Sequence, residues 1–145
     1  MERIQRSTFI NVPPAKVFGY LSDPTHLLEV WPSMVEVANV KPGQDGAAGW
    51  DWTYKMAGVK FHGHADTMEV KHDRLRVFRN EKGIPSTFRW TFEPRDGGTD
   101  FRVEVDYEIP GALLGKLAAP FLRRLNEREA ETMVQNTKER METGG

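Results

Sequence analysis

The side chains that could hold a proton or grip an aromatic ring fall on a few alternating runs of this sequence. Trp50, Trp52 and Tyr54 stand at i, i+2 and i+4, separated by Asp51, Thr53 and Lys55. In an extended chain the aromatic residues then share one face and the polar ones the other. Phe88, Trp90 and Phe92 repeat the pattern, and Phe101, Val103, Val105, Tyr107 and Ile109 lengthen it. With Trp31, Phe61 and Phe121 the set exceeds what a thin core requires, since each aromatic can bury about 150–250 Å². Two roles stay open: packed core, or the wall of an apolar pocket with a few polar handles. The handles would be the indole N–H groups and the hydroxyls of Tyr54 and Tyr107. Those two hydroxyls are also the candidate catalytic groups, as weak general acids. Gly63 and Ala65, on the same parity as Phe61, would leave volume beside the aromatic wall.

Other chemistries find little support. His62 and His64 form an H-x-H pair that could reach one metal. They share parity with Lys60 and Asp66, opposite Phe61, which predicts a solvent-facing pair and no metal site. With no Cys there is no thiol nucleophile, disulfide or thiolate-bound metal. No G-x-S-x-G, phosphate loop or HExxH occurs. No cofactor is expected.

The chain has 145 residues, 39% hydrophobic and 28% charged, with a net charge of -1. That size and balance predict one globular domain spanning 1–145. The charge argues against a general nucleic-acid binder. The longest apolar runs fall short of the ~20 residues of a membrane span, so no stable membrane insertion is expected. MERIQRSTFI lacks the apolar core of a signal peptide, which makes the cytoplasm the default location.

Residues 2–10 read as a strand. Pro13-Pro14 then opens a short helix carrying Val17, Phe18 and Leu21, and Ser22-Asp23-Pro24 opens a second carrying Leu27, Leu28 and Trp31. Val35–Val40 and the alternating runs follow as strands, broken at Pro42-Gly43, Gly58, His72-Asp73 and Pro94–Gly98. After Pro110-Gly111 the spacing becomes helical, with Leu114, Leu117, Phe121, Leu125, Met133, Thr137 and Met141 on the predicted apolar face. Pro120 marks a kink or the true start of this helix. From there to Met141 it would be about 33 Å long, enough to lie along a strand of similar length. Lys116, Arg123, Arg124, Glu127, Arg128, Glu129 and Glu131 read as a solvated helix face. The order predicts an α+β fold: a curved, mainly antiparallel sheet of about six to seven strands wrapped around the long C-terminal helix, with two short helices after the first strand.

Three segments carry a family likeness: the first strand running through Asn11-Val12-Pro13-Pro14 to Trp31-Pro32; Asp96–Asp100 leading into Phe101–Ile109; and Pro110-Gly111 with Leu114-Gly115-Lys116-Leu117. Together the chain resembles the helix-grip fold of the START/Bet v 1-like (SRPBCC) superfamily, within it the polyketide cyclase/dehydrase-like group. The resemblance implies a cavity between sheet and long helix. Its candidate ligand-binding lining is Leu27, Trp31, Trp50, Trp52, Tyr54, Phe61, Phe88, Trp90, Tyr107, Leu117, Phe121 and Leu125. The occupant expected is a hydrophobic small molecule, lipid-, polyketide- or quinone-like. A polyketide cyclase/dehydratase-like enzyme and a chaperone-activator-like interaction module are the alternatives. A nearly all-apolar inner parity favours binding over catalysis. Asn126–Glu129 interrupts the helix stripe. Either the helix passes the sheet rim there or one polar side chain enters the cavity, and the cost of burying an unpaired charge favours the rim.

Overall fold

The alternating runs become the strands of one sheet. The computed structural model describes residues 1–115 and 117–144; Lys116 lies outside them. The strands are β1 (Glu2–Ile10), β2 (Met34–Gly43), β3 (Gly46–Met56), β4 (Val59–Lys71), β5 (Leu75–Asn80), β6 (Ser86–Arg95) and β7 (Gly98–Tyr107). The helices are α1 (Pro14–Leu21), α2 (Leu27–Val30), α3 (Gly111–Leu114) and α4 (Ala119–Glu142), with a 3-10 turn at Pro24–His26 before α2. The seven strands lie in the order β1-β7-β6-β5-β4-β3-β2, every pair antiparallel. This is the helix-grip arrangement, a curved sheet around a long C-terminal helix.

Local chemistry sets the boundaries. Ala57-Gly58 and Asp96-Gly97 have positive φ at both residues (49° and 82°, 48° and 78°), the geometry that matches two-residue hairpins to strand twist. Asp23 caps the 3-10 turn by accepting from the Thr25 N–H at 3.0 Å. Pro120 sits in the first turn of α4, where its missing N–H costs nothing. Edge strand β2 is broken by register shifts at Met34/Glu36 and Ala38/Lys41, which blunt it against pairing with another chain.

Helix α4 crosses the concave face, fastened on both flanks. On the β1 side Arg123 pairs with Glu2 at 2.9 Å, Arg6 reaches Glu127 and Glu131, and Lys138 donates to the Phe9 carbonyl. On the other side Arg140 pairs with Glu29, Asn136 donates to the Val30 carbonyl, and Glu129 accepts from the Ser33 N–H at 3.0 Å. The buried stripe is Leu122, Asn126, Ala130, Met133, Val134 and Thr137. This corrects the expected face. Met133 and Thr137 lie on it, but Phe121 is 53% exposed and Leu125 and Leu117 are only partly buried. One residue is about 100° of helix rotation, so taking Phe121 and Leu125 in place of Leu122 and Asn126 turns the face out of the core.

The end of the sheet away from the α4 N-terminus is packed solid. Phe18, Phe92 and Phe101 interlock at centroid distances of 5.4 and 5.3 Å. Buried Arg76 lies 5.3 Å over the Phe18 ring and donates to the Ser22 hydroxyl and the Asp45 and Ala47 carbonyls. No helix among the described residues is long and apolar enough to cross a membrane.

Candidate functional site

Strand parity aims Trp50, Trp52, Tyr54 and Met56 from β3, Phe78 and Asn80 from β5, Ser86 and Phe88 from β6, and Val105 and Tyr107 from β7 at one cavity beneath α4. Leu27 of α2 and Trp31 just after it close the cavity, with Ile4 from β1 and Asn126 and Ala130 from α4. Its volume is about 70 Å³, room for roughly two water molecules. The rings have taken most of the space. Phe78 and Phe88 stack at 4.8 Å, Trp50 meets Phe78 at 5.2 Å, and Trp31 meets Phe88 at 5.3 Å and Tyr54 at 5.7 Å. Such contacts add about 0.5–1.5 kcal/mol each beyond area burial.

The polar groups form two sets. In the first, Trp52 Nε1 donates to Asn80 Oδ1 at 2.8 Å, Asn80 Nδ2 to Ser86 Oγ at 2.9 Å, and Ser86 Oγ to the Ile84 carbonyl at 2.9 Å. In the second, Asn126 Nδ2 donates to the Tyr107 hydroxyl oxygen at 3.1 Å and touches Met56 Sδ at 3.7 Å. The Trp31 indole N–H lies near the Tyr54 oxygen, close enough to favour its ionised form, yet has no partner in full hydrogen-bond geometry. Burial pushes the Tyr54 phenol well above its ordinary pKa, and the Glu129 carboxylate adds to this. Burial likewise raises Tyr107, against the Asn126 hydrogen bond. Both are neutral donors at physiological pH and poor proton sources.

A second, open hollow of about 290 Å³ adjoins the first. Pro32, Ser33 and Val35, the Ala57-Gly58 turn, Lys55, and Leu125 and Glu129 of α4 surround it. Tyr54, Met56 and Asn126 line both spaces and make the neck that separates an inner chamber from a vestibule.

Of the sequence candidates, Leu27, Trp31, Trp50, Trp52, Tyr54, Phe88 and Tyr107 come together on the inner wall. Trp90 has the right parity but lies behind Phe78, 4.9 Å away, as core. Phe61 pairs with Tyr54 in register and is partly buried outside the wall. Phe121 and Leu117 lie off the wall, and Leu125 borders only the vestibule. Gly63 does not leave volume: a Cβ there would fall 2.2 Å from the Trp52 ring, which already occupies the place. The rim expectation for the helix is also corrected at Asn126, which is 7% exposed and enters the cavity. It does so without unpaired charge, as a neutral amide held by Tyr107.

Phe78, Asn80 and Ser86 were missed. Phe78 and Asn80 share their parity with Arg76, whose charge masked the inward face of β5. His62 and His64 lie on the outer face. His62 Nδ1 is 2.9 Å from the Thr53 hydroxyl, and His64 is bracketed by Asp51 at 2.7 Å and Asp66 at 3.0 Å. The Asp51 hydrogen bond chiefly raises the His64 pKa.

Solved structures share this architecture. A protein of Thermus thermophilus is 18% identical, with a TM-score of 0.83 over 99% of each chain. A START superfamily protein of Mycobacterium smegmatis is 12% identical, with a TM-score of 0.82 over 99% of each chain. The Zhui aromatase/cyclase of a Streptomyces species is 15% identical, with a TM-score of 0.79 over 99% of this chain and 98% of that one. Identities this low establish likeness of fold alone. None of the curated proteins matches the chain in sequence. Residues 1–142 match the sequence profile described as polyketide cyclase/dehydrase and lipid transport. With β1 through the last turn of α4 inside that match, the chain belongs to the polyketide cyclase/dehydrase and lipid transport family.

Proposed function

We propose that the protein binds a small apolar or aromatic molecule in the chamber beneath α4, admitted through the neck, without performing acid–base chemistry on it. One observation carries this reading: an aromatic-walled chamber, partly open, lies against a larger hollow across Tyr54, Met56 and Asn126. Apolar walls with a few placed polar groups suit small-molecule recognition. Leu27, Trp31, Trp50, Trp52, Tyr54, Phe88 and Tyr107 would make the contacts. Of the described wall residues only the two tyrosines are titratable. A cyclase- or dehydratase-like reaction would have to draw its proton from one of them, and burial weakens both as acids. The chamber is smaller than the ~300–1,000 Å³ of ordinary ligand sites. A ligand larger than one ring would therefore extend through the neck into the vestibule.

The test is a titration with toluene, followed by indole fluorescence and thermal shift. Saturable binding is expected in the wild type. Ala130→Leu, which fills the chamber from α4, should abolish it in a protein whose circular dichroism and cooperative melt are retained. Undiminished binding in that variant would put the ligand elsewhere and overturn the proposal.

A further inference from the structure

One end of the sheet collects apolar side chains that the fold leaves in solvent. The strand registers bring the start of β1, the end of β7, the start of β2 and the β3–β4 turn to that end. Arg123 and Asn126 fix the first turns of α4 there, through Glu2 and Tyr107. Val35, Val59, Leu114 and Phe121 are exposed by 45%, 37%, 49% and 53%. Phe121 lies one helical turn from Leu125, which borders the open hollow together with Val35 and the Ala57-Gly58 turn. Val59 follows that turn directly, and Leu114 ends α3 on the connection from β7 to α4.

Cations flank these residues. Lys55 borders the hollow and Lys60 adjoins Val59. Arg124 and Arg128 each stand three positions along α4 from Phe121 and Leu125, and so beside them. All four cations are exposed, and none makes an ion pair among the described residues. The nearby carboxylates are mostly engaged: Glu2 with Arg123, Glu127 with Arg6, and Glu129 with the Ser33 N–H. Glu81 shares its loop with Lys82, which leaves Glu36 and Glu108 against the four. This end is therefore positive in a chain whose net charge is -1.

We infer that this end is a docking surface for an anionic lipid bilayer. The protein lies on it peripherally, with Val35, Val59 and Phe121 at headgroup depth and the four cations among the lipid phosphates. Charge complementarity selects this occupant, because exposed apolar side chains interleaved with unpaired cations match an interface where apolar burial and attraction to anionic headgroups add. The shape agrees. The apolar residues come from four elements and ring an open hollow, a rim that a deformable surface can meet at every point. The inference stands on this surface alone and holds whatever fills the chamber.

The test is sedimentation with vesicles of phosphatidylcholine, pure or with about one-third phosphatidylglycerol. Wild type should bind the anionic vesicles about tenfold or more tightly than the neutral ones, and added salt should release it. Phe121→Ser should weaken that binding about fivefold, and Arg124→Gln with Arg128→Gln about tenfold or more. Circular dichroism and melting check that both variants are folded. Lys16, on α1, and Arg74, whose carbonyl accepts from the Phe92 N–H, are exposed at the opposite end. Lys16→Gln with Arg74→Gln removes the same charge and should leave binding within twofold. A wild type that ignores anionic vesicles would overturn the proposal. So would an equal loss in the Lys16 and Arg74 variant, which would reduce the attraction to overall charge, or undiminished binding by Phe121→Ser. Sedimentation velocity supplies the last arm: a wild-type dimer that Phe121→Ser dissociates, without vesicle binding, would assign the surface to a second copy of the chain instead.

Discussion

Replacing Gly63 by Ala should destabilise the protein far more than the addition of one methyl group suggests. The new Cβ would lie 2.2 Å from Trp52 Cζ2 and 2.6 Å from the Lys82 carbonyl oxygen, where carbon contacts need about 3.5 Å. The indole cannot simply slide. It is tied to Asn80 at 2.8 Å, and Gly83, on the loop between β5 and β6, lies beside it. Overpacking of this kind costs about 1–3 kcal/mol. Losing the buried Trp52–Asn80 bond leaves an amide oxygen unmet, about 1–3 kcal/mol more. The less flexible unfolded chain offsets roughly 0.5–1 kcal/mol. The net is a loss of about 1–5 kcal/mol, a fall in Tm on the order of 10 °C at the middle of that range for a chain of this size. Urea denaturation followed by circular dichroism reads it, with Gly19→Ala as the control. Gly19 lies inside α1 with nothing within 4 Å of its would-be Cβ, so that change should stabilise by about 0.5–1 kcal/mol. If Gly63→Ala melts within 0.5 kcal/mol (~) of wild type, Trp52 is not pinned against β4 and the packing described for that wall is wrong.

Leu122→Ala should cost about 2–5 kcal/mol, as for other buried leucines, whereas Phe121→Ser should stay within about 1 kcal/mol because its ring is mostly in solvent; chemical denaturation of the two variants orders them, and the reverse order would restore the helix face read from the sequence. The raised His64 pKa contributes stability that is fully present below the ordinary histidine value and is lost as pH rises through the higher folded value. Melting temperature should therefore decline across that window, and His64→Gln should flatten the decline. Asp51, lowered chiefly by Asn39 and then by His64, acts in the opposite sense: its contribution is present above the ordinary carboxylate value and is lost as pH falls through the lower folded one. An Asp51→Asn variant should be less sensitive to acid than wild type in the same melts.

Much of the fold was legible because period two is an unambiguous signal when each strand has one wet face. Strands β3 and β7 read cleanly for that reason, and the inward parities of Trp50, Trp52, Tyr54, Val103, Val105 and Tyr107 follow directly. Parity gives a face but not a depth. Trp90 and Phe88 are equivalent in sequence, yet Phe88 borders the chamber and Trp90 lies behind Phe78, a difference set by where α4 and α2 cross the sheet. Helix α4 was harder to read because its buried stripe includes a polar residue, Asn126, and a small one, Ala130. The larger residues one position earlier, Phe121 and Leu125, outweighed them in any reading by hydrophobicity. The inward face of β5 went unread for a related reason: Arg76 is inward and buried, its cation met by two carbonyls and a hydroxyl from other segments, and no local pattern announces such a set of partners.

The residues hardest to read from sequence are also those that give the cavity its character. An aromatic wall alone makes a core, and here the rings nearly complete one, leaving about 70 Å³. Asn126 and Ala130 change that outcome. Ala130 withholds the side chain that would finish the packing, and Asn126 places an amide beside Tyr107 where a leucine would have sealed the neck. Met56, in contact with Asn126, is the unbranched and adaptable member of the constriction. Enlargement of the chamber is therefore easiest at Tyr54, Met56 and Asn126. The Trp50, Phe78 and Phe88 wall behind them is held by ring-to-ring contacts on three strands. Under the proposed binding role, selection among ligands would fall to the neck, and the deep wall would set only how large a ring fits beyond it.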